Sequence, residues 1–90
     1  MINSNLKKDI DTVIKQITNG TIFDAHYVIQ QLIFNHSTHY QENRSKYHHV
    51  NTFHSDISKE IKKICGPYLS SDSISINIHL NSSLNKCWRK

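Results

Sequence analysis

Glycine and proline are scarce in this chain: two glycines and one proline in 90 residues. Two glycines cannot build a phosphate-cradling loop of the usual kind. Long apolar runs are missing as well, so no segment reaches the length needed to span a bilayer. The opening "MINSNLKKDI" lacks the apolar stretch and small-residue cleavage site of a secretory signal, which predicts a cytoplasmic protein. The two cysteines, Cys65 and Cys87, lie far apart and form no Cys-x-x-Cys pair. Free, half-buried thiols are expected rather than a disulfide framework. Acidic residues are also few, 7 against 11 Lys and Arg, for a formal charge of +4.

What is present fits one small domain, residues 1–90, with room for a single modest core. An apolar content of 37 % and a charged content of 20 % belong to folded rather than disordered chains. The charge is asymmetric. Before residue 45, Lys7, Lys8, Lys15 and Arg44 are matched by Asp9, Asp11, Asp24 and Glu42. Afterwards Lys46, Lys59, Lys62, Lys63, Lys86, Arg89 and Lys90 face only Asp56, Glu60 and Asp72. The whole excess therefore lies in the second half, a distribution suited to an anionic partner, since neutralising phosphates releases condensed counterions.

Apolar periodicity outlines the elements. Leu6, Ile10, Val13, Ile14 and Ile17 form a helical stripe over about 5–18, with Asn3 or Ser4 as N-cap and Asn19-Gly20 as the stop. Thr21 to Phe23 read as a one-bridge strand. Asp24 caps a second helix over about 25–35 that carries Ala25, Val28, Ile29, Leu32 and Ile33 on one face. The stretch "NHSTHYQENRSKYHH" loses the period and reads as a loop or frayed turn, with Tyr40 and Tyr47 packing back onto the core. Phe53, Ile57, Ile61 and Ile64 mark a third helix, capped at Asn51 or Thr52 or beginning earlier, and stopped at Gly66-Pro67. Ile74, Ile76 and Ile78 then alternate with polar residues as a half-buried strand, residues 80–84 turn, and "NKCWRK" returns with either Cys87 or Trp88 facing inward.

The expected fold class is α+β: a three-helix core with a short strand and a C-terminal β-hairpin. In element order, lengths and charge placement the chain resembles the winged helix-turn-helix family over nearly all its length. It departs from the simplest members in the longer link before the third helix and in the turn "LNSSL", which has no basic residue at its tip. The resemblance implies double-stranded DNA binding by a small regulator of transcription or a mobile-element protein. His54, Ser55, Ser58 and Lys59 of the third helix would meet base edges, and Lys62, Lys63, Lys86, Arg89 and Lys90 the backbone. The abundance of Ile, Asn, Lys and Ser suits an AT-rich bacterial or phage genome. The plain alternative is a solvated amphipathic face, and the helix has no Arg for bidentate readout of guanine.

Other chemistries find less in the sequence. His36 and His39, or His48 and His49, with Cys65 or Cys87 could in principle share a metal, but no pair has zinc-module spacing, so no metal or other cofactor is expected. His54 and Asp56 point to different faces of a helix and no nucleophile motif occurs, so no enzymatic activity is expected. Most aromatics fit core or core-edge positions, with Tyr27 on the polar side of the second helix and Trp88 either a core cap or an exposed partner anchor. The competing function is a protein-binding module or inhibitor that uses the first two helices or Trp88 and binds no nucleic acid. A homodimer is compatible with either.

Overall fold

Asn3 starts the first helix as its side-chain oxygen accepts the Leu6 amide at 3.1 Å. In the computed structural model, which describes residues 1–67, 87–90 and the backbone of 75–76 and 82–83, this helix, α1, spans Ser4–Gln16. It ends before the expected residue 18 because Ile17 turns to extended backbone, with Ile17 still buried in the core. Strand β1, Ile22–Asp24, follows. Asp24 caps α2, Ala25–Asn35, through the Tyr27 amide at 3.0 Å, as the sequence predicts.

The segment expected to be a loop contains a helix, α3, Ser37–Arg44, separated from α2 by His36 alone. It carries no apolar stripe. Its anchors are Tyr40 and the fully buried Asn43. The Asn43 amide nitrogen donates to the Asn3 side-chain oxygen at 3.1 Å and to the His39 carbonyl at 2.8 Å, while its own oxygen accepts the Asn3 backbone amide at 2.9 Å. A buried amide with its donors and acceptor satisfied ties α3 to the start of α1 without the burial penalty of an orphaned polar group. A second polar clasp lies nearby. The buried Asp9 carboxylate receives His39 Nδ1 at 2.5 Å, and His36 Nδ1 stands 3.4 Å from its other oxygen.

The longest helix, α4, covers Val50–Cys65, with His49 at the N-cap position and no side-chain capping bond. Asn51 and Thr52, the expected caps, lie inside it. Its stop is Gly66, whose φ of 86° and ψ of −159° fall in a region essentially restricted to glycine. Helices α1, α2 and α4 pack on one another around Leu6, Ile10, Val28, Leu32, Phe53, Ile57 and Ile61. The core thus has four helices where three were expected: α3 places Tyr40 in it against Phe53, and Tyr47 just beyond α3 packs on the same ring.

The C-terminal hairpin is arranged differently from the expectation. The last strand, β4 (Cys87–Arg89), pairs antiparallel with β1, setting Ile22 against Arg89, Phe23 against Trp88 and Asp24 against Cys87. A separate pairing joins β2, Ser75–Ile76, to β3, Ser82–Ser83, inside the stretch expected to be the turn. The isoleucine face of Ile74, Ile76 and Ile78, expected to close the core, lies outside the residues whose side chains are described. Cys87 and Trp88 are both buried, so the two inward registers are not exclusive. Trp88 stacks on Phe23 with ring centroids 5.9 Å apart and donates its indole N–H to the Gly66 carbonyl at 3.1 Å. No disulfide joins the two cysteines; Cys87 is fully buried and Cys65 half-buried.

The mixed architecture is α+β, and no described helix is long and apolar enough to cross a membrane. Because Trp88 fills the junction of β1, β4 and the end of α4, Trp88→Ala is expected to cost about 3–5 kcal/mol. Urea denaturation followed by far-UV circular dichroism measures this; a loss below about 1 kcal/mol would mean that the indole is not a core residue.

Candidate nucleic-acid interface

The helical period of α4 sorts its side chains. Phe53, Ile57 and Ile61 are buried, whereas Ser55, Lys59 and Lys62 fall at i, i+4 and i+7 on the opposite, exposed face, flanked by Thr52 and Lys63. Ser58 is half-buried at the edge of that face. Lys59 stands 3.9 Å from Asp56 and Lys63 3.9 Å from Glu60. Pairs this open to solvent contribute little and yield readily to an external anion. Lys62 and Lys63 also occupy the last turn, where cations offset the negative end of the helix dipole.

Sequence reasoning missed Lys7. A cleft of about 90 Å³ between α1 and α4 is lined by Ile2, Lys7, Asp56, Lys59, Glu60, Lys63 and Met1. The only sequence signal was indirect: Lys7 follows the buried Leu6, and the α1 stripe must face α4. In the same place Asp56 is claimed by several donors. Tyr47 gives it a 2.6 Å hydrogen bond, and the amino group of Met1 approaches to 3.8 Å. Burial, that hydrogen bond and the carboxylate's charge push the Tyr47 phenol up to about 12.

His54 is placed elsewhere. It is half-buried against α3, its Nε2 2.9 Å from the Tyr40 hydroxyl and its ring tilted against Tyr40 and Phe53. Burial raises the Tyr40 phenol, an effect that Arg44 opposes. The phenol is thus protonated at neutral pH, and the imidazole tautomer sets which of the two groups donates. His54 itself is held below its ordinary value of 6.5, first by burial and then by the charges of His26 and Arg44.

The C-terminal residues divide. Arg89 is exposed. The Lys90 ammonium donates to the Ile14 carbonyl at the C-terminal end of α1, 2.8 Å away, and its backbone bonds Thr21 and Gly20. Lys90 also lies close enough to the Cys65 thiol to oppose the upward shift that burial imposes there. Strand β4 therefore reaches the C-terminal end of α4, which Trp88 joins through Gly66. Lys86 lies outside the described residues. Among the described residues no three His, Cys, Asp or Glu side chains converge to hold a metal ion.

No protein-family model, curated protein or solved structure matches the chain.

A histidine held below its unfolded value makes the folded state bind fewer protons than the unfolded one. Its contribution is fully present above pH 6.5 and is lost as pH falls from there toward the folded value. His54→Gln should therefore flatten the fall of the melting temperature as pH drops below 6.5. Identical pH profiles for the two proteins would remove His54 as the titrating group.

Proposed function

We propose that the chain is a small winged-helix-like protein that binds double-stranded DNA through the outer face of α4, in the manner of a transcriptional regulator or mobile-element protein. The observation that carries this reading is the convergence of Lys59, Lys62 and Lys63 on one exposed region of α4, with Lys7 of α1 across the cleft from Lys59 and Lys63. Cations from two helices then meet the phosphate backbone while Ser55 and Ser58 stand where a major-groove helix presents side chains to base edges. The β1–β4 pairing supports it by leaving Arg89 exposed on the strand whose Trp88 is tied to the end of α4. His54, turned toward Tyr40, acts on this surface by fixing the rotation of α4 rather than by touching a base. Lys90 serves the end of α1.

The competing protein-binding reading loses one of its anchors, because Trp88 is 1 % exposed.

Binding to a labelled duplex of random sequence, followed by fluorescence anisotropy, is expected to weaken log-linearly with salt. Replacing Lys59, Lys62 and Lys63 by Ala should weaken it at every sequence and lower the salt slope by about 1 for each lysine removed. Unchanged affinity and slope in a folded variant would exclude α4 as the contact.

A further inference from the structure

Helix α3 buries only Tyr40 and Asn43, so polar contacts carry most of its attachment, and imidazoles take part on two sides of it. Toward α1, the Asp9 carboxylate receives His39 Nδ1 at 2.5 Å and stands 3.4 Å from Nδ1 of His36, the residue before α3, while Asn43 bonds Asn3. Toward α4, the Tyr40 hydroxyl lies 2.9 Å from His54 Nε2, and the Tyr40 ring leans on Phe53 with centroids 5.1 Å apart.

The two sides receive a proton differently. On the α1 side an imidazole that gains one faces a carboxylate, and the contact becomes an ion pair. On the α4 side His54 has no carboxylate partner among the described residues. It faces Tyr40 and Arg44 from α3 and His26 from α2. Asp24 caps α2 and stands 3.6 Å from His26, and Asp56, on α4 itself, takes the Tyr47 hydroxyl. A proton on His54 therefore creates a half-buried cation opposite Arg44, which sits in the last turn of α3. The repulsion acts between α3 and α4 themselves. Both forms of the ring can hydrogen-bond the phenol, so that bond does not offset it.

We infer that α3 is an acid-sensitive flap: it docks on α4 while His54 is neutral, and a proton on His54 loosens it from α4 while the Asp9 and Asn43 contacts keep it on α1. What opens is the cover over Phe53, a fully buried ring packed under Tyr40 and Tyr47. Burial, His26 and Arg44 hold the imidazole below 6.5, which agrees in sign. The docked form resists the proton, so the proton favours the undocked one as pH falls below that value. The inference does not depend on nucleic-acid binding.

Hydrogen–deuterium exchange of the full chain, read by mass spectrometry at about pH 7.5 and about pH 5.5 and corrected for the intrinsic rate, tests it. One linked proton changes the open fraction by at most about tenfold per pH unit, so the amides of α3 are expected to lose protection by about three- to tenfold. Those of α1 and α2 should keep theirs. His54→Gln keeps a polar group near the Nε2 position and carries no charge at either pH, so its α3 protection should be the same at both. Arg44→Gln removes one of the opposing cations and should show a smaller loss than the wild type, whatever its protection at the higher pH. Should the first variant misfold, the second decides. Wild-type protection of α3 that ignores pH, a loss shared equally by α1 and α2, or a loss undiminished in the folded variants overturns the proposal.

Discussion

Trp88 stands where β1, the last strand and the longest helix meet. Its ring lies on Phe23 of β1, its indole N–H reaches the Gly66 carbonyl at the end of α4, and its backbone is held in the β1–β4 pair. A three-residue strand pair would be marginal in water by itself. Here the pair is stabilised because the buried ring covers the core floor and the indole satisfies a carbonyl that a helix end would otherwise leave without an intrahelical partner. Glycine at position 66 is what permits this geometry: its backbone conformation is closed to other residues, and it aims the carbonyl at the indole.

From that closure follows the division of labour among the basic residues. Pulling β4 against β1 carries Lys90 to the last turn of α1, where its ammonium meets the Ile14 carbonyl and the negative end of the helix dipole. The C-terminal cluster, which looks uniform in the sequence, is split between a helix-terminating contact and an exposed Arg89. The same packing brings Lys7 up to α4 from the opposite end of the chain. Net charge is thus a poor guide to a binding surface, whereas the placement of each cation by its helix is informative.

Helices α1, α2 and α4 were legible because each writes its buried face as an apolar stripe: Leu6 to Ile17, Val28 to Leu32, Phe53 to Ile61. Helix α3 was not, since what holds it is the Asn43 amide and the Asp9–His39 contact, whose partners lie about 30 to 40 positions away. Polar anchors of that range leave no period. The inward turn of His54 was hidden for the same reason, its partner Tyr40 being on that unseen helix. The partner of the last strand was equally invisible: "CWR" alternates too briefly to choose a neighbour, and the choice falls to Trp88 finding Phe23. Of the candidate site, the exposed lysines of α4 could be read from the stripe they oppose, but Lys7 could not.

Helices α2 and α4 bury their inner faces in one core, so their outer faces diverge. Their compositions are opposite in kind. On α4 the exposed lysines keep the surface hydrated, and Lys59 and Lys63 stand 3.9 Å from Asp56 and Glu60. On α2, Phe34 and Ile33 leave apolar area in water at a free-energy cost of about 25 cal/mol per Å². Covering an uncharged face would respond little to salt, whereas a phosphate contact on the lysine face would respond steeply.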